Sequence, residues 1–182
     1  MKMLVHRTAG SAELPFVLDD LKLHLRAPDD SEDSAIENIG ATAAAEIEQF
    51  AQIALLTQTI RVTIFDPCGE QGLRLPIGPV DDDNTPTVTI DGEAFSEFEF
   101  AGGNRAYIWW KEAYFSLTPS RMTIEYMAGF GDAASDVPPD LAQALMDQAA
   151  LHYDGRSPMD SKSLTASPHM ARIGARYRGV QV

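Results

Sequence analysis

The sequence has few residues of several kinds, and each shortage narrows the class of protein. One cysteine, Cys68, stands among 182 residues, so no disulfide can form within the chain, and assembly in a reducing compartment is expected. No stretch reaches the roughly 18 uninterrupted apolar residues of a membrane span. The first residues also lack the apolar core of a secretory signal. We therefore expect a protein that has no membrane span and is not exported.

Basic residues are scarce as well. The chain holds 14 Lys and Arg against 27 Asp and Glu, which gives a net charge of −13 and a pI near 4.5. A general nucleic-acid coat would need basic side chains to displace phosphate counterions, so this class is excluded. The charge is also uneven: residues 1–154 hold nine basic and 26 acidic residues, whereas residues 155–182 hold five and one. The sequence therefore predicts an acidic body with a basic tail.

Patterns typical of catalytic or metal sites are missing. The four histidines lie far apart in sequence: His6, His24, His152 and His169. None has the local spacing of a zinc site. The acidic run 81–84 lacks the ligand ladder of an EF-hand, and the glycines of 128–132 are not followed by the GK[ST] of a phosphate loop. We predict no catalytic residue, no metal site and no cofactor.

Three helices are predicted from apolar spacing and end signals. Residues 15–26 form a short apolar series with Asp19 and Asp20 early, where the helix dipole favours anions. Residues 30–52 carry apolar side chains at steps of three and four behind turn and N-cap residues. Residues 137–154 begin with a proline pair, which the first helical turn tolerates, and are followed by Gly155.

A small antiparallel β region is predicted over residues 57–127. Apolar and polar residues alternate from Thr57, and turn residues then separate a series of short strands. The sequence IDGE at residues 90–93 indicates a hairpin, because Asp-Gly tolerates the positive φ of a type I′ turn. The predicted fold class is α+β: a small helical bundle with an inserted antiparallel β region and an extended C-terminal tail. Residues 1–154 are expected to form one compact body.

Aromatic residues cluster in this β region at Tyr107, Trp109 and Trp110. Such rings could stack sugars or bases, but strand alternation would bury some of them in the core of the lobe. We favour a role in core or subunit packing.

The tail, residues 155–182, has too few large apolar residues to build a core, and a flexible segment is the simplest interpretation. A second interpretation is an extension that orders on a partner. Arg172, Arg176 and Arg178 would then meet acidic grooves, while Ile173 and Tyr177 make apolar contacts, in a spacing that permits a short helix.

The order of parts in residues 123–156 is a strand, a glycine turn, a capped helix and the start of a basic tail. Together with LDDLKLHLRA at 18–27 and RLPIGPV at 74–80, this order resembles the head-tail connector (adaptor) proteins of tailed bacteriophages and phage-like gene transfer agents. The resemblance covers most of the chain. It implies that residues 1–154 are a connector domain and that residues 155–182 bind a partner.

The resemblance implies a structural virion protein without enzymatic activity. It would form a homo-oligomeric ring, a dodecamer that matches the portal, between the portal protein and a neck or tail-side protein. DNA would pass through its channel without sequence-specific binding, past an acidic lumen that repels phosphate. The ring would belong to the head-tail junction of the virion, after assembly in the bacterial cytoplasm.

The resemblance also assigns residues to surfaces. The tail would bind the portal through Arg156, Arg172, Ile173, Arg176, Tyr177 and Arg178. The subunits would pack through Tyr107, Trp109 and Trp110.

Two alternatives stay open on the sequence alone. A neck stopper or tail-completion protein would share the acidic charge and the β content. A virion-associated hydrolase would use carboxylates of the β region, such as Glu97 and Glu99, beside a platform of Trp109 and Trp110.

Overall fold

The computed structural model describes residues 2–27, 29–67, 69–155 and 166–178. The chain divides into two compact units, each built from two separate stretches of sequence. The β unit comprises residues 1–11 and 57–129, and the helical unit comprises residues 12–56 and 130–182. The predicted α+β class is confirmed. The expected single body over 1–154 is instead shared between these two units.

The β unit contains two antiparallel sheets. The first has the strand order β1-β2-β8-β4-β5 and is formed by β1 (Lys2–Ala9), β2 (Gln58–Phe65), β8 (Arg121–Ala128), β4 (Thr87–Ile90) and β5 (Glu93–Phe95). The second has the order β3-β7-β6 and is formed by β3 (Gly72–Arg74), β7 (Tyr107–Trp110) and β6 (Phe98–Ala101). Every pairing between these strands is antiparallel, as the sequence predicts.

The centre of the larger sheet is the pair of strands β2 and β8. Alternate residues of each strand are buried, and they face one another across the pair: Ile60 opposite Tyr126, Val62 opposite Ile124, and Ile64 opposite Met122. The period of two in the sequence therefore places one apolar face in the core. The Tyr126 hydroxyl accepts a hydrogen bond from the backbone N–H of Ile77 at 3.2 Å, and burial raises the pKa of Tyr126.

The predicted hairpin at residues 90–93 is confirmed. Asp91 and Gly92 have φ of 50° and 95°, as the two central residues of a type I′ turn require, and they join β4 to β5. The Asp91 carboxylate accepts hydrogen bonds from the Ser120 hydroxyl at 2.6 Å and the Arg121 N–H at 2.8 Å. These hydrogen bonds, that of the Ser120 side chain first, lower the pKa of Asp91. The turn is therefore fastened to the start of β8.

The described residues of the helical unit form four helices: α1 (Leu18–Leu25), α2 (Asp33–Ala51), α3 (Pro139–Asp154) and α4 (Pro168–Arg178). Short 3-10 turns, Asp30–Glu32 and Ala134–Asp136, precede α2 and α3. The first three helices begin and end within three residues of the predicted bounds. Their buried apolar side chains form one core: Leu21, Ile36, Ile47, Leu55, Leu141, Leu145 and Ile173 are its largest fully buried members.

Close packing explains the glycine inside α2. A Cβ atom on Gly40 would overlap the ring of Phe16 and a methyl group of Leu21. Helix α1 and the residues before it therefore approach the backbone of α2 directly.

Two elements were not predicted, and they lie near the two ends of the chain. Strand β1 forms from residues that carried no predicted element. Helix α4 forms within a segment that was expected to be flexible, because Met170 and Ile173 find a buried place in the helical unit. The composition of residues 155–182 alone does not predict a docked helix, since the rest of the core lies outside this segment.

Candidate assembly surfaces

Helix α4 is held on the helical unit by apolar contacts with α2 and α3. Met170 and Ile173 are buried, with 2% of Ile173 exposed. Gly174 lies directly over Phe50, so that a Cβ atom there would stand 2.5 Å from Cδ1 of the Phe50 ring. The absence of a side chain at Gly174 thus allows α4 to rest on the ring.

The end of α4 is tied to the start of α3 through Asp140. The Tyr177 hydroxyl donates a hydrogen bond to Oδ1 of Asp140 at 2.9 Å, and the Arg176 guanidinium lies 3.6 Å from Oδ2. Burial, together with the hydrogen bond to Asp140, raises the pKa of Tyr177 to about 12. The neutral form of Tyr177 is therefore the one that the docked helix favours.

The start of α4 is tied to α3 through a second carboxylate, that of Asp147. Nδ1 of His169 lies 2.6 Å from Oδ2 of Asp147, and Nε2 of His24 lies 3.3 Å from Oδ1. The Gln143 side chain donates a further hydrogen bond to Oδ1 at 2.8 Å. One acidic side chain on α3 thus contacts both α1 and α4.

A buried glutamine completes the attachment of α4. Gln148 is fully buried, and its Oε1 accepts a hydrogen bond from the Ser167 N–H at 2.7 Å. The Ser167 hydroxyl in turn accepts from the Met170 N–H at 3.0 Å, as an N-cap side chain does. The amide nitrogen of Gln148 donates to Glu46 at 2.7 Å, and His152 lies 2.9 Å from the same Glu46 oxygen. Each of these buried polar groups has a partner.

Five of the six residues assigned to portal binding lie on α4. Arg172, Arg176 and Arg178 are exposed, Tyr177 is half-buried, and Ile173 is buried. While α4 is docked, Ile173 faces the core of its own helical unit, and its assignment to the portal contact stays a prediction. Arg156 lies outside the described residues. The outer side of the docked helix is therefore basic and its inner side apolar.

The aromatic residues of β7 are divided between the two faces of the strand. Trp110 is 8% exposed, stacks on Tyr114 with 4.9 Å between ring centroids, and belongs to the lobe's own core. Trp109 is 46% exposed and lies 4.6 Å from the ring of Tyr107. Of the three residues assigned to subunit packing, Trp109 and Tyr107 are thus accessible on the surface and Trp110 is not.

The surface around Trp109 is built by its cross-strand neighbours. Gly72 of β3 and Glu99 of β6 lie opposite Trp109 on either side of β7. A Cβ atom on Gly72 would overlap the ring of Tyr107, so the glycine makes room for that ring. The result is a two-ring aromatic patch with an acidic neighbour.

Strand β1 is a surface that sequence reasoning missed. Every residue from Lys2 to Thr8 is exposed, and within the part of the chain that the structure describes the strand pairs on one side only, with β2. The signal was the apolar run Met3 to Val5, which fits a strand but is short and is followed by His6 and Arg7.

The other candidates for chemistry have structural roles. Within the described residues, no group of three or more His, Cys, Asp or Glu side chains could hold a metal ion. In the acidic run, Asp82 accepts a hydrogen bond from the Gly102 N–H at 2.6 Å. In the glycine segment, the space beside Gly131 is filled by Asp136, which accepts from the Ala133 N–H at 3.0 Å. Cys68 lies outside the described residues.

Glu48, near the end of α2, accepts a hydrogen bond from the Leu55 N–H at 2.7 Å, so it fastens the turn that follows the helix. None of the helices in the described ranges is long and apolar enough to cross a membrane.

Comparison with known proteins points to the neck of a virus-like particle. No protein-family model and no curated protein matches the chain. Among solved structures, the chain is similar to one from the virion of a native gene transfer agent (GTA) particle, at 26% identity and a TM-score of 0.79. It is also similar to chains from the neck of an empty GTA particle, computed with C6 symmetry (25%, 0.78), and of a native one, computed with C12 symmetry (25%, 0.76).

Each of these three matches covers 98% of this chain and 97% of the other. They support a phage-like neck protein, a structural component of the virion, in agreement with the predicted resemblance at that level. Because the matched components are structural, they point away from an enzymatic role. The C6 and C12 symmetries indicate that such neck chains are arranged in rings.

Proposed function

We propose that this chain is the adaptor of a phage-like neck: a structural protein whose copies form a dodecameric ring between the portal and the tail-side proteins. The observation that carries the proposal is the likeness over 98% of the chain to a chain from the neck of a native GTA particle, computed with C12 symmetry. Twelve copies would match a portal of the same symmetry. The ring would extend the DNA channel, after assembly from subunits made in the bacterial cytoplasm.

We assign the portal contact to the exposed side of α4. Arg172, Arg176 and Arg178 present three positive charges on one helix of an otherwise acidic chain. Met170 and Ile173 stay in the core and hold the helix in place, so the contact does not require α4 to unfold. Arg156 is retained as a further portal residue on the sequence argument.

We assign subunit packing to Trp109 and Tyr107. Two adjacent rings, one of them 46% exposed, form the kind of anchor that protein interfaces bury at their centre. Trp110 supports this patch from the other face of β7 through its stacking on Tyr114.

The acidic charge suits a channel for DNA. Carboxylates that line a pore repel phosphate groups and so reduce adhesion of DNA in transit. DNA would therefore pass without sequence-specific binding.

The test is co-sedimentation with portal rings from the same genome. The full chain should bind, and a triple variant, Arg172→Glu with Arg176→Glu and Arg178→Glu, should lose binding. This variant tests the arginines more specifically than a truncation after Asp154 does, because the truncation also removes Met170 and Ile173 from the core.

The matched control reverses three basic residues of the β unit, Arg74, Arg105 and Arg121, and should bind like the wild type. Portal binding that survives reversal of the α4 arginines would contradict their assignment. If the full chain does not bind portal rings and binds tail-side neck proteins, the result would instead indicate a stopper or tail-completion protein. A hydrolase with a platform of two tryptophans is disfavoured, since Trp110 is buried.

A further inference from the structure

Strand β1 offers an open edge for another strand. It is eight residues long, contains no proline, and is the terminal strand of its sheet, where β2 is its one partner among the described strands. Leu4 is 50% exposed, and Met3 and Val5 are exposed beside it. Long exposed edges pair readily with further strands, and charged side chains on such an edge restrict the strands with which it can pair. The opposite edge of the same sheet, β5, is only three residues long.

The charge of β1 indicates what it pairs with. The strand carries Lys2, His6 and Arg7 and no acidic residue, within a chain of net charge −13. A basic edge favours an acidic strand, since like charges placed opposite each other destabilise a pair.

Symmetry narrows the choice of partner. Two β1 strands that paired with each other would form an isologous contact, which closes as a dimer. The similar chains come from particle necks computed with C6 and C12 symmetry, and a ring needs two different surfaces that meet head to tail. The partner of β1 is therefore another part of the next copy.

Among the described strands, two further edges lie in the smaller sheet, β3 and β6. Strand β3 is three residues long and carries Arg74, whose charge would repel β1. Strand β6 has Glu99 within it and Glu97 immediately before it, and both carboxylates are exposed. The two glutamates thus give β6 the charge that complements β1.

We propose that β1 of one copy pairs with the β6 edge of the next copy, so that the strands form a head-to-tail contact around the ring. This proposal rests on the ring in the proposed function and names the surfaces that close it. Backbone hydrogen bonds along the two edges supply the contact, and the net positive charge of β1 and the negative charge of Glu97 and Glu99 on the other edge set its partner.

Two charge-reversed full-length variants test the pairing. The first is Lys2→Glu with Arg7→Glu, and the second is Glu97→Lys with Glu99→Lys. Sedimentation velocity of concentrated protein, with and without portal rings, measures self-association. Each variant alone places like charges on both edges, and we expect its self-association to fall about tenfold or more.

An equimolar mixture of the two variants distinguishes a lost contact from a failure to fold. In the mixture, each reversed edge meets a complementary edge on the other variant, so association should return to near the wild-type level in alternating copies. The chain that carries all four substitutions should associate for the same reason. A control with Arg74→Glu and Arg121→Glu changes the net charge as much as the first variant does and should associate normally.

Three results would overturn the proposal. The wild-type chain could stay monomeric both with and without portal rings, or a single charge-reversed variant could associate as strongly as the wild type. The third result is a mixture of the two variants that does not regain self-association. Portal binding is read separately in the same experiment. A variant that still binds portal rings but no longer associates with its own copies leaves the adaptor function intact. A wild-type chain that associates with its own copies but does not bind portal rings would contradict the adaptor function and leave the proposed strand pairing intact.

Discussion

The chain has a basic segment near each end, and the two segments differ in how far their apolar side chains are buried. Near the N-terminus, β1 lies on the edge of a sheet with residues 2–8 exposed. Near the C-terminus, α4 buries Met170 and Ile173 in the helical core and leaves its arginines outside. Composition alone would class both segments as polar extensions. The two segments differ in burial because the helical unit has an apolar surface against which α4 packs, whereas the outer edge of β1 is exposed.

Unequal burial gives the two segments different tasks. Removing an apolar side chain from α4 costs transfer free energy and leaves a cavity, whereas the same removal from β1 changes little, because the side chain is already in water. Stability should therefore depend on α4, and self-association on β1.

The largest effect should come from Ile173. Ile173→Ala removes most of a side chain that is 2% exposed, and we expect it to lower the free energy of unfolding by about 2–4 kcal/mol. Urea unfolding of the full chain measures this change. The matched control is Arg172→Ala, the exposed neighbour, which should change stability by no more than about 0.5 kcal/mol. Equal effects of the two substitutions would show that α4 is not docked as described.

The next effect concerns the contact between α4 and α2. Gly174→Ala places a methyl group 2.5 Å from the Phe50 ring, and we expect a loss of about 1–3 kcal/mol, reduced by up to about 1 kcal/mol through alanine's better helix propensity. Phe50→Leu in the same chain should relieve the overlap, so the double variant should be more stable than the sum of the single effects predicts. Strict additivity in this double-mutant cycle would argue against the contact.

A smaller effect is expected for Tyr177. Tyr177→Phe removes the hydrogen bond to Asp140, which should cost about 0.5–1.5 kcal/mol at neutral pH. The pKa of Tyr177 is raised from 10.0 to about 12, so the folded state favours the neutral phenol. Its contribution is complete below pH 10 and is lost as the pH rises towards 12.

Unfolding measured over that pH interval should therefore show a decline in the wild type that is weaker in Tyr177→Phe. An identical decline in both chains would assign the pH dependence to other groups.

The smallest effect should come from the exposed strand. Leu4→Thr replaces a half-exposed apolar residue by one with good strand propensity, and the free energy of unfolding should change by no more than about 0.5 kcal/mol. The same substitution should reduce self-association if β1 pairs with a second copy. A destabilisation comparable to that of Ile173→Ala would instead mean that β1 is covered within its own chain.

Local rules account for the parts of the fold that the sequence predicts. The turn at Asp91 and Gly92 is predicted because its positive φ values suit few residue types. The helices α1, α2 and α3 are predicted because each shows its own apolar spacing and its own end signals. The alternation of β7 also explains why Trp109 and Trp110 face opposite sides.

Contacts between distant residues account for most of what the sequence does not predict. Helix α4 depends on Met170 and Ile173 reaching a core whose other members lie on α1, α2 and α3 or beside their ends. The meeting of His24 and His169 at Asp147 likewise joins three helices that share no local pattern. In β1, a run of three apolar residues is too short to distinguish an edge strand from an irregular start.

The position of β8 has a consequence for synthesis on the ribosome. This strand lies in the middle of the larger sheet, between β2 and β4, yet it is the last of the five to be translated. At a translation rate of about 5–20 residues per second, about 3–11 s pass between the synthesis of the end of β2 and that of the start of β8. During that interval the nascent chain holds the β1–β2 and β4–β5 pairs of this sheet, and a two-stranded pair is marginal on its own. The larger sheet can therefore form only after β8 has been translated.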